Sequence, residues 1–140
     1  MDDIEAIKQL QARYFRLMDT KDWAGFRGVF ADDVSVDTVE SGGGVWNGAD
    51  TFVGELQPLL DPVVTVHQGH TSEIEITSPT TATGIWSMED HLQWPNGVSL
   101  NGFGHYHETY EKVGGRWLIK TTRLTRLRMD HTMPTDEVPA

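Results

Sequence analysis

The stretch VSLNGFGHYHETYEKVGGRWLIKTTRLTRLRM, Val98–Met129, decides the fold. Apolar and polar side chains alternate along it with the period of two that a strand requires. Gly114-Gly115 divides it as a tight hairpin turn would. Two long antiparallel strands are predicted, Val98–Val113 and Arg116–Met129. Working towards the N-terminus, PNG (95–97) and SPTT (78–81) are further hairpin signals. They set off two more β segments, Val63–Ser78 and Thr81–Trp94. Four long strands joined by short turns make a meander.

Upstream of Pro62 the texture is helical. Ile4, Ile7, Leu10, Tyr14, Leu17 and Met18 recur at helical spacing, and Asp2 with Glu5 stands as in a capping box. Asp22 is placed to cap a second, short helix whose apolar face is Trp23, Phe26, Val29 and Phe30. VSVDTV (34–39) reads as a short strand. ESGGGVWNGAD (40–50) reads as a flexible glycine-rich turn. Its three glycines lack both the Lys-Ser/Thr of a P-loop and the spacing of a dinucleotide fingerprint. Asp50 is placed to cap a third helix carrying Phe52, Val53, Leu56, Leu59 and Leu60, which Pro62 stops. The order predicts an α+β fold. Three N-terminal helices pack in a strongly curved mixed or antiparallel sheet, a cone-shaped α+β barrel with room for a ligand inside.

The 140 residues suit a single domain, expected over residues 1–130, with 131–140 as a mobile tail. The absence of cysteine excludes thiolate chemistry. A formal net charge of -10 argues against a nucleic-acid partner. No apolar run approaches the ~20 residues of a membrane span, and Met-Asp-Asp-Ile-Glu lacks the features of a secretory signal. A cytoplasmic protein with no membrane partner is expected. Lys120, Arg123, Arg126 and Arg128 gather near the C-terminus. Such a strand serves an anionic or polar ligand, or else pairs with surface carboxylates.

AIKQLQARYFRLMDTKDWAGFRGVFADDVSVD (6–37), WNGAD (46–50), VHQGHTSEIEI (66–76), GHYHETYEKVGGRWLI (104–119) and the arginine-rich last strand together resemble the SnoaL-like branch of the nuclear-transport-factor-two superfamily. The resemblance covers almost the whole chain. Members of that branch include scytalone dehydratase, bile-acid 7α-dehydratase and hexachlorocyclohexane dehydrochlorinase, which use an Asp–His pair inside the cone. The resemblance places Asp19 of LMDTKDW and His67 of VHQGH on those positions. It also implies that Tyr14 and Phe15 face the cavity, that no cofactor or metal is needed, and that the protein is a homodimer or homotrimer. The superfamily also contains isomerases, cyclases and binding modules, so the site must carry the functional argument.

A histidine titrates near ~6.5 and can serve as a general base at neutral pH. A carboxylate beside it would fix its tautomer and stabilise the imidazolium. His67 is therefore expected to take a proton and Asp19 to position it. Asp19 ends the first helix, where the dipole disfavours a carboxylate. His70, an odd number of residues beyond His67, should face the other way unless Gly69 bulges the strand. Trp86, Met88, Asp90 and Leu92 share the face that suits a cavity wall; Tyr106 and Glu108 share one face of the next strand, and His105 and His107 the other. His105-x-His107 is a possible metal pair, although no metal is expected. In the last strand Thr122, Leu124, Arg126 and Arg128 alternate to one side. The arginine of the dehydrochlorinase falls on Thr122, a departure from the family pattern, and Arg126 or Arg123 is left to supply the cation.

The expected function is a cofactor-free, dehydratase-like lyase acting on a hydrophobic cyclic small molecule. The alternatives are an isomerase or polyketide cyclase using the same pocket, and a non-catalytic small-ligand-binding module.

Overall fold

The computed structural model describes residues 1–134. Its elements run α1 (Asp3–Asp19), α2 (Trp23–Arg27), β1 (Phe30–Asp37), β2 (Val45–Asn47), α3 (Ala49–Leu60), β3 (Val64–Ser78), β4 (Thr81–Gln93), β5 (Ser99–Val113) and β6 (Arg116–Thr132). One six-stranded sheet has the order β2-β1-β6-β5-β4-β3. β1 runs parallel to β6, and every other neighbouring pair is antiparallel, so the sheet is mixed. The expected α+β cone with three helices is present. The sheet remains open, with β2 and β3 as its edges.

Local chemistry explains most boundaries. The Asp2 carboxylate accepts from the Glu5 amide at 2.8 Å and starts α1. Asp22 accepts from the Gly25 amide at 3.0 Å and starts α2. Gly114 and Gly115 both adopt positive φ, 57° and 80°, as a tight turn matched to strand twist requires. α1 lies along β3, α3 covers β1 and β2, and α2 bridges the two helices. Tyr14, Phe26, Phe30 and Phe52 pack edge-on or tilted around one another to form the centre of the core.

Four details differ from the sequence reading. The glycine-rich segment is not a simple turn: Val39–Ser41 forms a 3₁₀ turn and Val45–Asn47 pairs with β1. Gly48, with φ of 96°, occupies the N-cap of α3, while Asp50 in the first turn holds Arg27 at 2.7 Å. Leu59 points to solvent, because the apolar face of α3 runs through Phe52, Val53, Leu56 and Leu60. β6 continues to Thr132, so His131 and Thr132 of the expected tail are strand; residues 135–140 lie outside the described residues.

Three bulges decide which side chains face inward. In β3 the register shifts between Gly69 and Ser72, so the inner series changes from Thr65-His67-Gly69 to Ser72-Ile74-Ile76. In β6 one shift beside Lys120 keeps both Ile119 and Thr122 inside. A second at Leu127 lets Arg126 face inward while Arg128 crosses to the outer face, over the Phe103 ring at 4.7 Å. The inward placement of Arg128 is thereby corrected: period-two counting does not survive an extra residue.

Gly69 lets α1 approach β3. A Cβ there would collide with the Phe15 ring. Gly69→Ala should therefore cost about 1–3 kcal/mol through overpacking, read as a lower urea midpoint. Gly44→Ala, which meets open space, should leave the midpoint unchanged.

Candidate active site

The site begins at the C-terminal end of α1. Thr20 caps the helix, and Lys21 adopts φ of 62°, a left-handed conformation that glycine usually supplies. The Lys21 amide bonds Met18 O at 3.2 Å and the Asp22 amide bonds Leu17 O at 2.9 Å, so the chain reverses sharply. This turn leaves Asp19 facing β3. There its Oδ2 accepts from the His67 amide at 2.8 Å, and its Oδ1 meets the Thr65 hydroxyl at 2.9 Å and His67 Nδ1 at 2.7 Å. Three donors offset the unfavourable end of the helix dipole. The Lys21 ammonium donates to Thr65 Oγ1 at 3.0 Å and adds a second layer. Burial lowers the Lys21 pKa, opposed by the nearby Asp19 and Asp61 carboxylates.

With Asp19 on Nδ1, neutral His67 carries its proton there, which leaves Nε2 free to accept one. The ring is buried and packs nearly parallel to Phe15, centroids 6.3 Å apart. Nε2 stands 3.9 Å from Asp90 Oδ2, beyond hydrogen-bond reach. Asp90 in turn takes a bidentate clamp from Arg126, at 2.8 and 2.9 Å. Arg126 Nε donates to Ser41 Oγ at 2.9 Å, and its amide to Glu40 at 3.1 Å, which ties the 3₁₀ turn to β6. Gly102 makes space for the clamp: a Cβ there would overlap both Asp90 and Arg126.

His67 opens on a cavity of about 220 Å³ walled by Tyr14, Met18, Trp46, Tyr106, Thr122 and Leu124, with Phe52, Leu56 and Leu60 beyond. The lining is largely apolar and aromatic. Burial raises the Tyr14 and Tyr106 pKa values, so both phenols stay protonated and can donate. Their rings meet edge-on at 5.6 Å.

The structure thus brings together Asp19 and His67, and it turns Tyr14, Tyr106, Thr122 and Leu124 into the cavity. Phe15 and Trp86 do not line it. They face a separate cleft between α1 and the β3 bulge, because Phe15 is spent in backing the His67 ring. Met88 and Asp90 are on the inner face of β4 but lie behind the lining with Arg126, whose guanidinium Met88 Sδ touches at 3.8 Å. Arg126 is thus the inward cation; Arg123 faces outward, opposite His107. Lys120 and Arg128 hold Asp33 and Asp130 at the surface. His70 is exposed, 3.5 Å from Glu89. Burial and then Arg123 lower the pKa of outward-facing His107, which meets Thr125 at 3.1 Å. Among the described residues, no group of three or more His, Cys, Asp or Glu is arranged to hold a metal ion.

Sequence reasoning missed Thr65, Lys21, Ser41 and Gly102. Thr65 alone had a signal, since it shares the inner face with His67 at i−2. The others depend on long-range packing.

A SnoaL-like domain model matches residues 1–123. A probable cyclase, FGR4, of Gibberella zeae is 26% identical over 133 residues, covering 86% of this chain and 89% of that protein. Two solved structures are similar: a scytalone-dehydratase-like protein of Novosphingobium aromaticivorans (TM-score 0.83, 18% identity, 98% of this chain and 95% of that one) and a LinA-type3 hexachlorocyclohexane dehydrochlorinase of Novosphingobium barchaimii (TM-score 0.77, 18% identity, 97% and 94%). At that identity they establish a shared fold. No helix of the described chain is long and apolar enough to cross a membrane.

The clamp gives a stability prediction. Asp90→Ala leaves a buried guanidinium unpaired and should cost about 3 kcal/mol. The double variant Asp90→Leu/Arg126→Met should recover most of that loss, measured by chemical denaturation.

Proposed function

The chain belongs to the SnoaL-like domain family, and on that premise we propose that it is a cofactor-free lyase that dehydrates a small, hydrophobic, cyclic β-hydroxy carbonyl compound. A small-molecule-converting enzyme of this fold is what the family and its dehydratase- and cyclase-like relatives support. The observation that carries the finer reading is the 2.7 Å Asp19–His67 pair, with His67 in the lining of a largely apolar cavity.

In this reading His67 Nε2 removes the proton next to the carbonyl. Asp19 keeps the ring in the tautomer that can accept it and stabilises the imidazolium formed. The Tyr14 and Tyr106 phenols line the cavity, are held protonated by burial and hydrogen-bond each other, so the hydroxyl left free of that bond serves as donor to the developing enolate oxygen. Arg126 does not reach the cavity as a free cation. Clamped by Asp90, it serves to set the electrostatics behind His67 and to hold the 3₁₀ turn. The cavity is at the small end for ligand sites, which favours one or two fused rings over a steroid-sized skeleton.

Ring closure by the same base is the second reading, favoured by the cyclase relative; product mass separates the two, because only dehydration loses water. We propose that a homodimer or homotrimer would bury part of the outer sheet face, where Val66, Ile85 and Leu127 are exposed.

A suitable probe is 3-hydroxy-1-tetralone, a bicyclic β-hydroxy ketone whose dehydration gives 1-naphthol. Formation of 1-naphthol should be catalysed by the wild type. His67→Ala should slow it by about 10²–10⁴ and Asp19→Asn by a smaller factor, both with near-UV circular dichroism unchanged. Normal turnover by His67→Ala would overturn the dyad.

A further inference from the structure

Behind the cavity wall lies a buried acidic group that the proton abstraction does not use. Glu108 on β5 is 3% exposed, and its register partner across the ladder is Thr122 of β6, a cavity-lining residue. Glu108 Oε1 accepts from the Tyr110 hydroxyl at 3.0 Å, and Tyr110 in turn accepts from Trp86 Nε1 at 3.0 Å. Gly84 keeps the Tyr110 hydroxyl in place, since a Cβ there would stand 2.7 Å from it. The carboxyl also interacts with the buried Thr122 hydroxyl beside it; beyond that contact neither Oε2 nor the Thr122 hydroxyl has a hydrogen-bond partner. The two buried polar groups therefore depend on each other.

We propose that Glu108 is the proton store of the cavity, delivering its proton through the Thr122 hydroxyl to the leaving oxygen of the substrate. The inference rests on the lyase reading. The step balances: the C–H bond breaks and its proton goes to His67 Nε2; the electron pair forms the C=C bond; the C–O bond breaks and its pair stays on oxygen. That oxygen takes the Thr122 proton while Thr122 takes the one on Glu108. Water leaves, the Glu108 carboxylate and His67 imidazolium remain, and solvent exchange resets both.

The surroundings suit an acid that is neutral at rest. The titratable groups near Glu108 are the phenols of Tyr14 on α1 and of Tyr106 and Tyr110 on β5; beyond them in the same network the Asp90 carboxylate on β4 is paired with the Arg126 guanidinium on β6. Burial raises the Glu108 pKa to about 7, opposed only in part by Thr122 and Tyr110. Such a carboxyl is protonated below about pH 7 and can donate.

The test uses the full chain, with 3-hydroxy-1-tetralone as probe and an infrared pH titration alongside. Wild type should show a protonated-carboxyl carbonyl band that disappears as pH rises through about 7, absent in Glu108→Gln. Its kcat should fall over the same range. Glu108→Gln and Thr122→Val should each lower kcat about 100-fold, and Glu108→Gln should lose that falling limb. If only structure were at stake, Thr122→Val, which leaves Glu108 and Tyr110 intact, would keep kcat. Wild-type kcat and pH profile in both variants, or no titrating band, would overturn the proton store while a dead His67→Ala leaves the lyase reading standing. A wild type that makes no 1-naphthol would sink the lyase reading and this role with it.

Discussion

Everything in the site hangs on one carboxylate. Asp19 is the last residue of α1 and the acceptor for an amide, a hydroxyl and an imidazole of β3. By holding the His67 backbone as well as its ring, it fixes the distance between helix and strand along with the tautomer. The cavity exists because α1 and β3 are pinned at this end while the sheet curves away to β1. A carboxylate at a helix C-terminus is unfavourable by itself, and the interaction persists because three donors converge on it. The left-handed turn at Lys21 is part of the same device: it reverses the chain so that Asp19 faces the strand, and it places the lysine to brace Thr65.

Order in the rest of the site follows from bulges. Alternation from His67 already turns His70 to solvent; the shift after Gly69 turns Thr71 outward as well and keeps Ile74 and Ile76 on the core. The shift at Leu127 sends Arg126 to Asp90 and Arg128 to Phe103. Without it, two guanidiniums would share the interior with one carboxylate between them, a poorly compensated burial. Each bulge also adds local twist, and a sheet bent around helices needs that twist.

The legible part of the protein was whatever local chemistry determines. The α1 periodicity, the caps at Asp2 and Asp22, the hairpin glycines and the inward series of β4 could be read residue by residue. The Asp19–His67 pair emerged from resemblance, and the face of His67 from alternation. What could not be read was tertiary. Gly48 displaced Asp50 as the α3 cap, because Asp50 is held by Arg27 from another element. The resemblance puts Phe15 in the cavity, yet the bare Gly69 opposite lets its ring pack behind His67 instead. A bulge leaves little trace in sequence, so Arg128 was placed on the wrong face. The Gly102 vacancy that admits the Asp90–Arg126 clamp depends on three strands at once.

The buried carboxyls around the cavity differ in environment. Asp19 and Asp90 are each surrounded by donors, one at a strand edge and one by a guanidinium. Glu108 has only two hydroxyl neighbours, the Tyr110 phenol and Thr122, and burial raises its pKa. The proposed elimination needs its base and its acid kept apart, because side by side they would simply exchange a proton. His67 with Asp19 faces the cavity from β3, and Thr122, with Glu108 behind it, faces it from the β5–β6 ladder. On the proposed reading, a substrate held between them would meet a proton acceptor on one wall and a proton donor on the other, a separation that the curved sheet imposes.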